Sequence, residues 1–276
     1  MAPEPLNRVS APDVPADSVA AQLAHGLEAF VRHHYDAGLH ALDYGAAGVS
    51  REFRALREAA DHLAGVDPVE LGSVGRRRSF WINVYNTLAL HIVIENRQAS
   101  GVRGVSEFFT GPHYWIGGAS VSLDVIEHGI LRGNRRKYLA LAPVLGRRDA
   151  RLAWALPAVE PMLHFGLYTA CRSAPRLRAF HTDHARKELA AATREYLDAT
   201  VRWDEDTEEL RVPRMFKWYG VDFGGRTTDT LSFVATHLAD DDPRAAAIEA
   251  ASGGLSVKFL DYDWSLNDRY AAAPPG

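Results

Sequence analysis

The chain has 276 residues, of which 47% are hydrophobic and 24% charged, and its formal net charge is −4. This is the composition of an ordinary globular protein, and a chain of this length buries a sizeable core without disulfides or metals. No basic run exceeds three residues, as in Arg76–Arg78 and Arg135–Lys137. Nucleic-acid binding usually needs a denser positive field, so we expect no nucleic-acid partner.

Cysteine content and hydropathy bear on the compartment. Cys171 is the only cysteine, so no intrachain disulfide can form, and we expect a cytoplasmic protein. The N-terminal residues lack the basic start and apolar run of a signal peptide. No apolar stretch reaches the ~20 residues that a membrane helix needs, so we expect no membrane partner.

Hydrophobic periodicity predicts helices through the first third of the chain. Residues 1–16 are rich in Pro and Ala and are expected to form a flexible arm. Apolar residues then recur at helical spacing over Val19–Tyr35 and over Arg51–Leu63. The segment Ser79–Glu95 is apolar nearly all round, which predicts a central, buried helix.

Turns, short strands and further helices follow. The predicted elements are a strand over Ala119–Val121, a helix over Leu123–Leu131, an irregular connection over Gly133–Arg151, an extended segment over Pro161–Leu167, a helix over His184–Ala199, a hairpin over Val201–Val212, a helix or turn over Pro213–Trp218, helices over Asp229–Ala239 and Pro243–Ala251, and a strand over Leu255–Leu260. We therefore predict one α+β domain over residues 17–270, mostly helical, with a small antiparallel sheet or hairpin. Residues 271–276 are expected to form a flexible tail.

The first polar block is FWINVYN, in which Asn83 and Asn86 lie three residues apart on one face of the buried helix. A buried amide must be hydrogen-bonded, or it costs about 1–3 kcal/mol. One interpretation is that each asparagine holds a neighbouring loop in place. The other is that one of them orients a catalytic group or donates to a substrate.

The second block is SLDVIEH, where Asp124 and His128 are spaced as neighbours on a helix face and Glu127 lies beside them. A carboxylate next to an imidazole raises its basicity and fixes its tautomer, as a general base requires. The structural alternative is an aspartate favoured by the helix dipole and a solvated histidine. Spacing alone favours the structural alternative.

The third block runs from His164 to Pro175, HFGLYTACRSAP, and places Thr169, Cys171 and Ser173 in a predicted loop. A nucleophile paired with a base is conceivable here, with Cys171 or Ser173 attacking. The alternative is that Cys171 is a buried, inert thiol, which is the common state of a lone cysteine.

Five segments together resemble the family labelled domain of unknown function 547. They are FWINVYN, SLDVIEHGILR, HFGLYTACRSAPRLRAF, PRMFKWYGVDF and FLDYDWSLND, in the family's order across residues 40–270. The resemblance implies that a set of residues lies at family-pattern positions, namely Asn83, Asn86, Asp124, Glu127, His128, His164, Lys217 and Tyr219. The family's chemistry is largely unassigned, so the resemblance implies no particular reaction.

The chain departs from the family pattern in the third block. Relatives commonly read HFALxCGAxSCPPLR, whereas this chain has Thr169 at the first cysteine and Ala174 at the second. A thiolate at the first position is therefore ruled out, and threonine is a poor nucleophile without a strong adjacent base. Cys171 has taken over the task, or the site uses non-covalent acid–base chemistry, or catalysis is lost.

Three functional hypotheses follow. The first is an acid–base enzyme acting on a small anionic molecule by elimination, cyclisation or hydrolysis, as occurs in biosynthetic pathways. The second is a cysteine hydrolase or transferase that uses Cys171. The third is a non-catalytic subunit that completes a partner's active site, with the apolar segment Phe108–Trp115 as its contact patch.

For the first hypothesis the sequence assigns roles as follows. The candidate catalytic residues are His128, Asp124, His164 and Glu127. The candidate substrate-binding residues are Asn83, Asn86, Thr169, Cys171, Ser173, Arg172, Arg178, Lys217 and Tyr219, the cations being suited to an anionic group. One cysteine and no HExxH or CxxC spacing argue against a metal, and we expect no cofactor.

Overall fold

The fold is organised around one helix that is buried almost all round. The computed structural model describes residues 4–8, 14–96, 101–105, 107–250 and 255–270. Helix α4 spans Val74–Glu95, and every residue from Ser79 to Ile94 is buried. This confirms the predicted central helix, which begins five residues earlier than predicted. The Ser73 side chain accepts a hydrogen bond from the Arg76 amide and so caps the first turn. Three arginines in the first two turns interrupt the apolar pattern, so the sequence did not indicate the earlier start.

The helices that precede α4 in the chain and the first α-helix that follows it pack on α4. In chain order the α-helices are α1 (Ala16–His34), α2 (Tyr44–Gly48), α3 (Arg51–Asp61), α4, α5 (Ala185–Thr200), α6 (Met215–Trp218), α7 (Thr227–His237) and α8 (Pro243–Ala250). Helices α1 and α3 approach closely because Gly26 lacks a side chain: a Cβ there would lie 2.9 Å from Leu56 Cδ2. A second apolar cluster, around Phe165, Leu197 and Val234, fills the space between α5 and α7.

Within the described residues, three small sheets complete the α+β fold. The strands are β1 (Tyr35–Asp36), β2 (Ala41–Leu42), β3 (His113–Ile116), β4 (Ala119–Ser122), β5 (Arg202–Asp204), β6 (Glu209–Val212) and β7 (Ser256–Phe259). The predicted hairpin is confirmed as β5 paired antiparallel with β6. Strand β7 joins its other edge in parallel, with Leu210 opposite Val257, after the crossover through α7 and α8.

The segment that carries the second polar block is a π-helix, Val125–Leu131, rather than the α-helix that its spacing predicts. Its last hydrogen bond runs from the Arg132 amide to the Glu127 carbonyl, five residues back, at 2.9 Å. All seven residues are buried. π-Helical turns are rare and occur often at functional sites, because the extra residue shifts side chains relative to an α-helical face.

One expected element is corrected by the structure. Pro161–Phe165 is a 3₁₀ helix rather than an extended segment, since its first proline suits the first helical turn. Within the predicted arm, residues 4–8 are attached to the core: Asn7 is buried and bonds both the carbonyl and the amide of Trp115. Residues 1–3, 9–13 and the predicted tail 271–276 lie outside the described residues.

The predicted contact patch Phe108–Trp115 is also corrected. Phe108 and Tyr114 are buried, and residues 113–115 belong to β3, which pairs with β4. The two aromatic side chains are therefore part of the core. The exposed apolar side chains of the described chain include Leu139 and Leu141, which lie in the irregular connection after the π-helix. Among the described residues, every helix is too short or too polar to span a bilayer.

We predict that His91 makes stability depend on pH. It is buried in α4 with Nδ1 3.0 Å from the Tyr114 hydroxyl, and burial, aided by Arg57, lowers its pKa from 6.5 to about 4. Between these values the unfolded chain binds a proton that the folded chain does not, so stability falls as pH drops through this window. The full effect is up to about 3 kcal/mol.

The measurement is thermal unfolding across that window for wild type, His91→Gln and the control His33→Gln, in which the replaced histidine is exposed. His91→Gln is expected to flatten the dependence of Tm on pH, and His33→Gln to keep the wild-type slope. Equal slopes in wild type and His91→Gln would contradict the prediction.

Candidate functional site

Side chains from all three polar blocks meet around one cavity of about 40 Å³, called here the polar cavity. Tyr85 comes from α4, Glu127 from the π-helix, and His164 and Thr169 from the third block. The other lining residues are Leu167, Pro175, Met215, Trp218, Tyr219 and Tyr262. A volume of this size holds a water molecule or the reactive end of a larger substrate.

His164 is the one predicted catalytic residue that both lines the cavity and has a carboxylate to orient it. Its Nε2 lies 2.9 Å from Oδ2 of Asp222, and both side chains are buried. The Tyr219 ring stacks on the imidazole at a centroid distance of 4.0 Å. Within the described chain Nδ1 makes no hydrogen bond. The ring is thus fixed on one edge, and its second nitrogen is left for a group in the cavity.

Asp222 is held as a carboxylate by two arginines. Its Oδ2 accepts from Arg132 Nε at 2.5 Å, and its Oδ1 accepts from Arg135 Nη1 at 2.9 Å. Burial opposes ionisation, but hydrogen bonds from His164 and Arg132 outweigh it and hold the pKa of Asp222 well below its usual range. The carboxylate therefore stays charged next to the imidazole throughout the physiological range.

Glu127 is a second buried carboxylate at the same cavity. The Tyr219 hydroxyl donates to it, and the Tyr85 hydroxyl donates to Oε2 at 3.4 Å. Burial alone would raise the pKa of Glu127, but His128, the Tyr219 hydrogen bond, His164 and Arg132 together lower it. Burial raises the pKa of both tyrosines well above the usual range, so they remain donors. Glu127 thus supplies negative charge to the cavity wall.

His128 lies behind this wall, and the structure corrects its predicted basicity. Its Nδ1 accepts a hydrogen bond from Arg132 Nη1 at 2.8 Å, while Nε2 lies 3.8 Å from both Asp124 Oδ1 and Glu127 Oε1. Burial lowers the pKa of His128, and this outweighs the two carboxylates. A neutral ring that accepts from arginine is a positioning group. Asp124 forms an ion pair with Lys137 and does not line the polar cavity.

The third block places Thr169 at the cavity and Cys171 behind it. The Thr169 hydroxyl lies 3.3 Å from both the Tyr262 hydroxyl and the Cys171 sulfur. Cys171 is fully buried, and burial raises the pKa of its thiol. Ser173 accepts from the Asp263 amide at 2.8 Å and so holds the C-terminal segment. Of these three predicted residues, only Thr169 faces the cavity.

The two asparagines of the first block hold the third block in place. Asn83 accepts from the Phe180 amide at 2.9 Å and donates to its carbonyl at 2.8 Å. Asn86 accepts from the Tyr168 amide at 2.9 Å and donates to the carbonyls of Gly166 and Arg178. Both amides are engaged by backbone, which favours the loop-holding interpretation over direct substrate binding.

The predicted cationic residues lie apart from the polar cavity. Arg172 and Arg178 line a separate cleft of about 260 Å³. Lys217 is exposed and lines a surface groove with Arg135 and Lys137, so it does not accompany the other two. Among the described ranges, no group of three or more His, Cys, Asp and Glu side chains is arranged to hold a metal ion.

Sequence reasoning missed four residues of the site. Asp222, Arg132, Tyr85 and Tyr262 complete the contacts around His164, Glu127 and Thr169. The signal was present in part, because Asp222 and Tyr262 lie within the segments PRMFKWYGVDF and FLDYDWSLND. Their partners are distant in sequence, 58 residues apart for His164 and Asp222, and no local spacing reveals such a pair.

The comparisons with known proteins agree with the motifs. Residues 73–197 match the model of the family described as protein of unknown function, DUF547. The match supports the resemblance over the segment that holds the three polar blocks. Searches of curated proteins and of solved structures found no match.

We predict that Cys171 is unreactive in the folded protein. Its thiol is buried with a raised pKa, and only the thiolate is nucleophilic. Iodoacetamide at neutral pH, followed by mass spectrometry, should label it slowly in native protein and rapidly in urea. The matched control is the double variant Cys171→Ala with Thr169→Cys, which places a thiol in the cavity beside His164 and should label faster. Rapid labelling of native Cys171 would contradict the prediction.

We predict that Asn86→Ala acts on stability. It leaves the Tyr168 amide and the carbonyls of Gly166 and Arg178 without their partner. The expected loss in the free energy of unfolding is about 2–4 kcal/mol, measured by urea denaturation. Asn96→Ala is the control, since Asn96 is exposed and bonds only the preceding turn, and it should cost under about 1 kcal/mol. Similar losses in both variants would refute the loop-holding role.

Proposed function

We propose that this chain is an acid–base enzyme that acts on a small anionic molecule, with His164 as the group that takes up and returns the proton. The observation that carries the proposal is the buried His164–Asp222 pair, in which Nε2 is held by the carboxylate and Nδ1 is left for the polar cavity. A histidine oriented by a carboxylate is the usual arrangement of a general base.

The surrounding charges suit this role. When Nδ1 accepts a proton, the imidazolium lies between two carboxylates, Asp222 at Nε2 and Glu127 across the cavity. Both carboxylates are already ionised, so the positive charge is stabilised without reorganisation of the site. Glu127 itself is too acidic to be the principal base, and we assign it an electrostatic role.

The hydroxyls on the far wall provide a place for the reacting group. Thr169 and Tyr262 lie 3.3 Å from each other and can hold a substrate oxygen or a water molecule. Burial raises the pKa of Tyr262 well above its usual range, so its hydroxyl stays protonated and can donate. The small cavity volume admits only the reactive end of a substrate.

Two reaction classes fit these groups. In an elimination, a substrate proton moves to His164 Nδ1, its bonding electrons form the new double bond, and the departing group takes the proton from the imidazolium. In a hydrolysis, water gives a proton to Nδ1, and its oxygen attacks the electrophilic atom of the substrate. The bond from that atom to the leaving group breaks, and the imidazolium protonates the leaving group. Neither class needs a covalent nucleophile, so both are compatible with Thr169 in place of cysteine.

The thiol hypothesis has less support. Cys171 does not line the polar cavity, and its raised pKa keeps it protonated. His128 and Asp124 also lose their proposed catalytic roles, because each is engaged by a cation behind the cavity wall. We assign them to positioning: they hold Arg132 and Lys137, and His128 borders Glu127.

The test is an untargeted mass-spectrometric comparison. Wild type, His164→Ala and Cys171→Ala are each incubated with a small-molecule extract of the source organism, and consumed and formed ions are compared. We expect wild type and Cys171→Ala to consume the same ion, and His164→Ala to consume it at least about 100-fold more slowly. The product masses identify the reaction: in an elimination the masses of the products add up to that of the substrate, and in a hydrolysis they add up to that of the substrate plus water.

The variants are compared only when their melting curves match that of wild type. Equal turnover by wild type and His164→Ala would refute the role of His164. Loss of turnover in Cys171→Ala, with His164→Ala active, would replace the acid–base mechanism with the thiol mechanism. If no ion changes with any protein, the catalytic proposal fails and the non-catalytic hypothesis takes its place.

A further inference from the structure

A second cleft lies beside the polar cavity and has a different character. It is formed by the loop 172–178, one face of α5, and the segment 260–262, and its volume is about 260 Å³. Its apolar walls are Phe165, Ala174, Ala192, Ala199, Pro213 and Leu260. Tyr262 lines both this cleft and the polar cavity. We call it the arginine cleft.

Positive charge exceeds negative charge in the arginine cleft. Its lining includes the four arginines Arg172, Arg176, Arg178 and Arg214 but only the two carboxylates Glu195 and Asp261. His40 adds no charge at neutral pH, because burial, aided by Arg176, lowers its pKa. The lining therefore carries a net charge of about +2, within apolar walls that strengthen electrostatic attraction.

The carboxylate of Glu195 shows that two of the arginines can bind an anion. Arg176 and Arg178 both donate to Glu195, one to each carboxylate oxygen. Two guanidinium groups thus share a single negative charge, whereas Arg214 has Asp261 for itself. The Arg176–Arg178 pair therefore has positive charge left for a second anion.

We infer that the arginine cleft binds the anionic group of an amphipathic small molecule, a carboxylate, sulfate or phosphate on an apolar body. The arginines hold the anion, and the apolar walls of α5 and Leu260 cover the body. Binding of such a molecule in the cleft does not depend on the proposed function. That the bound molecule is the substrate of the enzyme does rest on the proposed function. Tyr262 lines both spaces, and its hydroxyl lies 3.3 Å from the Thr169 hydroxyl, so the arginine cleft adjoins the polar cavity at this residue.

The binding test uses simple probes and needs no turnover. Phenylacetate and phenyl phosphate combine an anion with an apolar body, phenylethanol lacks the charge, and acetate and inorganic phosphate lack the body. Titrations followed by saturation-transfer NMR give each Kd. We expect phenylacetate or phenyl phosphate, or both, to bind about tenfold more tightly than phenylethanol. The same anion should also bind about tenfold more tightly than its counterpart without the ring, which is acetate for phenylacetate and inorganic phosphate for phenyl phosphate. Similar Kd values for all five probes would overturn the inference.

Two variants with opposite expected effects on the Kd test whether the probe binds in the arginine cleft. Arg178→Gln should raise the Kd of the amphipathic anion about tenfold, because a charge-assisted hydrogen bond is lost. Glu195→Gln should lower it roughly threefold, because the internal carboxylate no longer competes for the two guanidinium groups. Arg194→Gln is the matched control: it is exposed, adjacent to Glu195 on α5, and changes the net charge as Arg178→Gln does.

The outcomes separate this inference from the proposed function. Loss of binding in Arg178→Gln with tighter binding in Glu195→Gln and no change in Arg194→Gln supports the cleft. A merely structural role for the Arg178–Glu195 pair predicts that both variants weaken binding, and that result overturns the inference. His164→Ala should leave every probe Kd unchanged, so binding survives even if the acid–base mechanism is wrong.

Discussion

The site depends on one buried cation, the guanidinium group of Arg132. It is almost completely inaccessible to solvent, and an unpaired charge in such surroundings would cost several kcal/mol. Every side of the group is engaged: it donates to Asp222, to His128 Nδ1 and to the Arg136 carbonyl, and it lies 5.0 Å from the centre of the Tyr219 ring. The groups that satisfy Arg132 are thereby held in fixed positions around His164.

The π-helix explains how Arg132 reaches this position. The wider turn lets its amide bond the Glu127 carbonyl, so the side chains of Glu127, His128 and Arg132 come from one short, buried segment. Each then has a distinct electrostatic task. Burial, aided by Arg132, lowers the pKa of His128, while His164 and Arg132 hold Asp222 charged and Asp222 contacts Nε2 of His164. A single helical irregularity therefore couples a positioning histidine to the histidine that faces the cavity.

Local patterns predicted the elements and marked the correct segments, but tertiary contacts decided the roles. Periodicity located α4, and the two asparagines in it were a sound sign of an unusual site. Their actual partners are backbone groups of Phe180 for Asn83 and of Gly166, Tyr168 and Arg178 for Asn86. These lie 80 to 97 residues away and have no local signature. The sign of the His128 pKa shift was wrong for the same reason, because burial is a property of the whole fold. Asp222 escaped notice since its importance arises only beside His164 and Arg132.

In the proposed mechanism, threonine can stand at position 169 without loss of the acid–base chemistry. The proposed base His164, the carboxylate of Asp222 that orients it and the ionised Glu127 form a unit that does not include residue 169. A hydroxyl in place of a thiol at this position leaves that unit intact and offers a hydrogen-bonding group instead of a potential covalent partner. Under the proposal, proton transfer requires only that His164 and the substrate atom lie within hydrogen-bond reach. In the same proposal, the cavity wall that Thr169 shares with Tyr262 determines which oxygen is held there.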